Sequence, residues 1–398
     1  MYAKNIIESI QSFHEELTAI RQDIHAHPEL GFQESRTSDL VASALTALGY
    51  QVHRNVGRTG LVGVLQGKKN TSGRSIGLRA DMDALPILET GEHGYASTNK
   101  GVMHACGHDG HTTVLLGAAR YLAETRNFNG TVNLIFQPAE EGLGGAQAML
   151  DDGLFERFPC DSIFGLHNWP GLPPGVIGVC PGPMMAAADL FDIHIEGRGG
   201  HGAHAYQTND PIIIAAQLIN ALQTIVSRNV PAPDSAVVTV AAVKAGNIEA
   251  KNVIPKDALL CGTVRTFSPA IQEQVIARMQ EIIAGIASAF NAKIELKYNK
   301  LFPATVNTPE HASLVADVAT ELFGKENVVP NLTPSMGSED FSVMLKQRPG
   351  AYFRLGQGGA ENGCVLHSSI FNFNDAVIPT GSAMFCRLVE RSLPLDAA

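Results

Sequence analysis

The run Thr131-Val-Asn-Leu-Ile-Phe-Gln-Pro-Ala-Glu-Glu141 decides how this chain is read. Its central part, Val132 to Phe136, has the length and composition of a buried strand, and after Gln137 comes a proline. A buried strand that stops at Pro138 delivers Glu140 and Glu141 to the edge of a sheet. Adjacent carboxylates face different ways, so one can bind a metal while its neighbour moves protons. Two like charges side by side also repel unless cations are present.

Upstream lies His104-Ala-Cys-Gly-His-Asp-Gly-His111, a dense cluster of soft and borderline metal ligands. Buried cysteines and hydrogen-bonded histidines are common, so Cys106 and His108 alone would read as structural. Followed by Glu140-Glu141, they read as metal ligands. His104 and His111 are weaker candidates, better suited to orienting a neighbour. Two further apolar runs end in Leu166-His167 and Leu366-His367, and this shared position marks both histidines. Ligand candidates spread over most of the chain point to an enzyme site on a folded scaffold. A structural zinc site would show local Cys/His pairs instead.

Helical patterns over 5–25, 36–48, 110–126 and 144–151 alternate with strand-like runs at Leu61–Leu65, Ser75–Arg79, Thr131–Gln137 and Ser162–His167. This predicts an α/β fold with a mostly parallel sheet flanked by helices. Such sheets carry their sites at the carboxyl ends of the strands. Asp81-Met-Asp83, Glu140-Glu141 and His167 all arrive at that edge. A Pro/Gly-rich stretch from Pro170 to Pro183 breaks the pattern, and strand–helix–strand–strand–helix–strand follows, with Asp210 and Pro211 opening the first helix. This predicts an inserted α+β sandwich over 187–298 between two catalytic segments, 1–186 and 299–398.

At 398 residues the chain suits two domains. Hydrophobic residues make up 45% and charged residues 17%, less than the usual share of about a quarter. The formal net charge of −10, with no long basic run, argues against nucleic acid or an anionic membrane as partner. No secretory signal pattern and no apolar run of membrane-spanning length is read, and the six cysteines are spread singly. The expectation is a cytoplasmic protein with reduced thiols. Gly197-Arg-Gly-Gly-His-Gly202 mimics a dinucleotide loop, but the next helix starts only near Asp210, so it reads as a turn presenting His201. No Gly-x-Ser-x-Gly elbow or Walker loop is present.

Nearly end to end, the sequence resembles the hippurate hydrolase, aminoacylase and auxin-conjugate amidohydrolase family, two-metal enzymes related to zinc carboxypeptidases and aminopeptidases. The resemblance rests on eight segments in order. They are His25-Ala-His-Pro-Glu-Leu-Gly-Phe-Gln-Glu34, Arg79-Ala-Asp-Met-Asp-Ala-Leu-Pro86, Cys106-Gly-His-Asp-Gly-His111 and Gln137-Pro-Ala-Glu-Glu141. Gly199-Gly-His-Gly-Ala203, Asn252-Val-Ile-Pro255, Gly262-Thr-Val-Arg-Thr-Phe267 and Gly337-Ser-Glu-Asp-Phe341 complete the set.

The resemblance implies a zinc-peptidase-like catalytic domain holding two divalent ions (Zn, Mn, Co or Ni) on Cys106, His108, Glu141, His167 and His367. Cys106 would bridge them, Glu140 would be the general acid/base, and Asp83 would stand behind the ligands. His201 would reach the active site of the other subunit, and Asn252 with Arg265 would hold the substrate carboxylate. The insertion would serve as lid and dimerisation domain, giving a homodimer or dimer-based oligomer. His204-Ala-Tyr206 departs from the family pattern just after His201. The implied reaction is hydrolysis of N-acyl or N-aroyl amino acids, hippurate-like, to an acid and a free amino acid. The rival readings are a dipeptidase or aminopeptidase on the same site, and a non-catalytic metal-binding protein.

Overall fold

The computed structural model describes residues 2–395. The chain forms two compact units. The first runs to Met184 and resumes over Thr305–Thr333 and from Asp340 onward; the second comprises Met185–Ala304 and Pro334–Glu339.

In the first unit, Thr131–Gln137, Ser75–Asp81, Ser162–Trp169 and Gly350–Gly356 form the middle of an eight-stranded sheet. Adjacent members of these four are all parallel. The sheet is thus mostly parallel in its middle, as expected, with antiparallel flanks: Gln51–Arg54 and Leu61–Gln66 join as an antiparallel pair on one side, and Ile177–Gly178 runs antiparallel to Gly350–Gly356 on the other. Leu78, Leu134, Phe136, Phe164 and Phe353 are buried in the core beneath the helices. Helices His108–Thr125 and Ile378–Ser392 pack against each other, with Ser382 Oγ donating to the Val114 carbonyl at 2.8 Å.

The parallel middle aligns the strand carboxyl ends. Asp81 closes one strand, Gln137 another, and His167 lies two residues from the end of a third. The N-terminal helix expected over 5–25 is two helices, Tyr2–Gln11 and His14–Ala26. Ser12 turns its hydroxyl back onto the Ser9 carbonyl at 2.6 Å, and the buried Phe13 starts the next helix.

The second unit is the β-α-β-β-α-β arrangement. Its strands, Ala236–Ala245, Asp257–Thr266, Ala187–Glu196 and Lys293–Phe302, lie in that spatial order and are antiparallel throughout. Helices Pro211–Thr224 and Pro269–Phe290 supply Ile214, Leu218, Leu222, Val275 and Met279 to its core. Asp210 Oδ1 accepts from the Ile212 N–H at 2.9 Å, and Pro211 occupies the first turn, as their order predicts. No uninterrupted apolar run of membrane-spanning length is expected, and the one helical stretch long and apolar enough by average composition among the described residues, Pro211–Asn229, carries polar residues along it. Ile214, Leu218, Leu222 and Ile225 bury its inner face in the core of this unit, which accounts for its apolarity.

Two helical glycines give opposite expectations. A Cβ at Gly110 would meet the Phe373 ring at 2.2 Å, whereas at Gly285 nothing lies within 4 Å. Gly110→Ala should destabilise by about 1–3 kcal/mol through overpacking. Gly285→Ala should stabilise by roughly 0.5–1 kcal/mol. Denaturant midpoints of the two variants check both signs.

Candidate active site

The site of the first unit forms where helix His108–Thr125 meets the strand ends. Gly107, at φ 99°, turns the chain into that helix, and a Cβ there would meet the Asn168 amide oxygen at 2.4 Å. This turn sets Cys106 and His108 over the end of strand Ser162–Trp169. Cys106 Sγ lies 3.3 Å from His167 Nε2. The His167 ring donates Nδ1–H to the Asn168 carbonyl at 2.6 Å, which leaves Nε2 with a lone pair toward the thiol. Ala139 and His367 both hold positive φ, 52° and 62°, a cost usually found where side chains must be aimed. The His367 N–H donates to the Ala105 carbonyl at 2.7 Å, and its Nε2 stands 3.1 Å from Glu141 Oε1.

The ligand atoms of Cys106, His108 and His167 lie within 4.8 Å of one another, as do those of Cys106, Glu141 and His367. Cys106 belongs to both groups. Glu140 forms a third group with His108 and Glu141, and is buried at the same edge. Asp83 stands behind them: its Oδ1 is 3.2 Å from His108 Nδ1, and its Oδ2 accepts from the Glu141 N–H at 3.0 Å. One carboxylate thus orients a histidine ring and the loop that carries Glu141.

The electrostatics call for added positive charge. Burial pushes the Cys106 thiol well above its ordinary range, and Glu141, Glu140 and Asp81 add to the shift. Burial opposes charge on His108, but Asp81 and Asp83 outweigh it and hold its pKa up to about 10. Burial keeps His167 neutral, reinforced by His111. His108 Nε2 is buried without a hydrogen-bond partner, and Glu141 Oε1 is met only by His367 Nε2. Imidazoles beside a thiol and several carboxylates are the donor set a divalent ion of borderline softness takes, the ion displacing the proton that His108 otherwise holds.

Further residues surround the site, of which the sequence placed Asp81 at this edge and His111 as a residue to orient a neighbour, and gave the others no role. Arg79, fully buried, joins Asp81 at 2.7 Å and Asp340 at 3.3 Å, and Gln137 Nε2 donates to Asp340 Oδ1 at 2.7 Å. Asp81 Oδ1 meets His111 Nδ1 at 2.6 Å, while His111 Nε2 faces Asn168. Both His111 nitrogens are therefore engaged. On the other side of the helix start, Arg21 pairs with Asp375 at 2.6 Å and lies 3.6 Å from Asp109. Asp109 Oδ2 meets His25 Nδ1 at 2.8 Å, and His25 Nε2 meets Glu89 Oε1 at 3.0 Å. The clue available was spacing: Arg79, Asp81 and Asp83 recur every second residue at a strand end.

Three predicted residues belong to the second unit. His201 pairs with Val253 across a short antiparallel ladder, and the neighbouring Asn252 carbonyl accepts from the Gly202 N–H at 2.7 Å. His201 and Asn252 are thus adjacent. Arg265 lies on strand Asp257–Thr266, opposite Ala188 and Val237, and its Nη1 donates to Thr263 Oγ1. The divergent His204-Ala-Tyr206 forms an exposed turn, with the His204 ring 5.4 Å from that of His201.

The chain belongs to peptidase family M20/M25/M40, whose profile matches residues 77–391. It is 45% identical over 389 residues to the hippurate hydrolase of Campylobacter jejuni, covering 98% of this chain and 100% of that one. It is 38% identical over 386 residues to thermostable carboxypeptidase 2 of Saccharolobus solfataricus, covering 95% of each. Among solved structures, a Bacillus subtilis dinuclear metal-binding peptidase of family M20 superposes with a TM-score of 0.84 at 35% identity. That match covers 96% of this chain and 99% of the other.

His25 supplies a pH test. Burial opposes its charge, but hydrogen bonds to Asp109 and Glu89 hold its pKa up to about 9. A raised folded pKa contributes stability fully below the unfolded value near 6.5 and loses it as pH rises through about 9. His25→Gln should therefore cost more stability at pH 6 than at pH 10, the gap shrinking by roughly 1–3 kcal/mol. Equal losses in denaturant midpoint at both pH values would contradict a charged His25.

Proposed function

We propose that this chain is a metal-dependent amidohydrolase that cleaves N-acyl or N-aroyl amino acids, hippurate-like, to a carboxylic acid and a free amino acid. The observation that carries this reading is the place of Cys106 in two ligand groups at once, with Glu140 beside both. The 45% identity to a hippurate hydrolase over nearly the whole chain supports the substrate class.

In this reading Cys106, His108, His167, Glu141 and His367 would hold two divalent ions, Cys106 belonging to both ligand groups; Zn, Mn, Co or Ni suits the donor set. Such ions, when bound, supply Lewis acidity and bring the pKa of water toward neutrality. Glu140 takes the proton of the attacking water and later passes it to the departing amine nitrogen. Asp83 keeps the His108 ring in register through Nδ1. His201 stabilises the oxyanion as the amide carbonyl becomes tetrahedral. Arg265 and Asn252 hold the free α-carboxylate, the guanidinium by a two-pronged hydrogen bond.

The second unit serves as dimerisation and lid domain of a homodimer. Its exposed Tyr206, Ile213, Val243, Ile248 and Val253 are apolar surface of the kind that subunit contacts cover. A cytoplasmic location accords with six free cysteines. A second reading, cleavage of a peptide ahead of a C-terminal residue, is favoured by the carboxypeptidase relative. Both substrate types present a free carboxylate. They differ in the group on the acyl side, which an N-blocked amino acid lacks and a dipeptide carries as an ammonium.

Hydrolysis of hippurate and N-acetyl-methionine should require added divalent metal and stop on chelation. Faster release from free dipeptides than from either would select the peptidase reading. Glu140→Ala should lower kcat by on the order of 10²–10⁴-fold with metal content unchanged by elemental analysis. Retained turnover would remove Glu140 from proton transfer. Arg265→Ala should raise KM for substrates with a free carboxylate and leave amidated analogues unaffected; equal losses on both would contradict the anchor role.

A further inference from the structure

Arg354 is 4% exposed on strand Gly350–Gly356. It is in register with His167 on the neighbouring parallel strand, so both side chains leave the sheet on the same face. Its Cζ lies 3.5 Å from the ring centroid of Trp169, whose ring is 6.0 Å from that of His167. A stacked guanidinium thus sits two rings away from the ligand cluster.

Its charge is uncompensated within the described residues. Nε and Nη2 are buried and have no hydrogen-bond partner. The two other large buried arginines are each matched by two carboxylates: Arg21 by Asp375 and Asp109, Arg79 by Asp81 and Asp340. Arg21 uses the same atom pair, Nε and Nη2, each 2.6 Å from one oxygen of Asp375. Burial lowers the Arg354 pKa to about 10, still charged at neutral pH, with only weak opposition from Tyr352 and Cys180. Stacking on Trp169 offsets part of the buried charge but leaves the N–H fork unsatisfied. A planar fork of two parallel N–H groups matches two coplanar oxygens, which is carboxylate geometry.

We propose that Arg354, seated on Trp169, is a binding fork for a carboxylate of the substrate or of a released product, beside His167. The choice of these carboxylates rests on the amidohydrolase reading above. The fork rests on its own geometry, and its test needs no turnover.

Trp169 is the one tryptophan in the sequence, so intrinsic emission reports on this stack alone. The metal-loaded full chain is titrated with benzoate and with glycine, the two products of hippurate, and with benzamide and inorganic phosphate as controls. Benzoate or glycine should change the emission saturably and raise the unfolding temperature. Which of the two acts tells whether the fork faces the acyl or the amino-acid end. Arg354→Gln should weaken that Kd by about tenfold or more, and Arg354→Lys by less.

Equal Kd in wild type and Arg354→Gln, no response to either acid, or binding of benzamide or phosphate as tight as the carboxylate would overturn the assignment. If Arg354→Gln fails to fold, Arg354→Lys and the wild-type comparison of benzoate with benzamide decide. Hydrolysis with a flat titration sinks the fork and leaves the amidohydrolase reading. An Arg354-dependent titration without hydrolysis does the reverse.

Discussion

Buried negative charge at one sheet edge is the constraint on which this structure turns. Asp81, Asp83 and Asp109 are almost wholly inaccessible, Glu140 nearly so, and Glu141 and the Cys106 thiol stand among them. Carboxylates that deep in a protein need partners or cations. Some of the partners are built in: Arg79 lies against Asp81, and Asp83 and Asp81 draw a proton onto His108. The first turn of helix His108–Thr125 adds the positive end of its dipole. His108 Nε2, which has no hydrogen-bond partner, lies in the same small volume as the Glu140 and Glu141 carboxylates.

Two buried chains of like composition brace that helix start. Arg79, Asp81 and His111 run along one side, and Arg21, Asp109 and His25 along the other. Each chain is cation, carboxylate, imidazole. Each includes a residue of the Cys106–His111 segment, His111 in the first and Asp109 in the second, so the loop carrying Cys106 and His108 is clamped twice. Such clamps make ligand geometry insensitive to loop motion, which a preorganised site requires. They also explain why His111 is spent on structure: both its nitrogens are taken, by Asp81 and Asn168.

Much of this was legible in the sequence because local pattern and tertiary role coincide there. The run Thr131–Gln137 is buried in all but its first residue, so its apolarity marked a central strand and located Glu140. His167 and His367 were found by following apolar runs to their ends. The edges of the sheet were not legible, since Ile177–Gly178 and Val328–Val329 have two residues each and carry no periodicity. Nor was the Arg79–Asp340 pairing, which joins positions 261 residues apart. A charged residue inside a strand pattern reads as solvent-facing; only the folded chain shows that Arg79 faces a carboxylate and that Arg354, among the described residues, faces none. The break at Ser12-Phe13 was hidden because apolar spacing continues across it.

The unpaired atoms of the first unit fall into two kinds, and their neighbourhood gives them a common sense. Around Cys106 the unsatisfied groups include lone pairs that seek a cation. Two rings away, on the same sheet face as His167, the unsatisfied groups are N–H donors of a fixed cation that seek an anion. A folded chain of this size does not keep both kinds buried without cost unless ligands of both kinds arrive. An N-acyl amino acid offers a polarisable carbonyl to the first place and, where its carboxylate lies at Arg354 rather than at Arg265 and Asn252, a carboxylate to the second. Its amide hydrolysis then releases a new carboxylate beside the same fork. A site that needs cations to bind and an arginine to orient would discriminate by charge before shape, since a missing carboxylate would leave the Arg354 fork as unsatisfied as it stands in the folded chain alone.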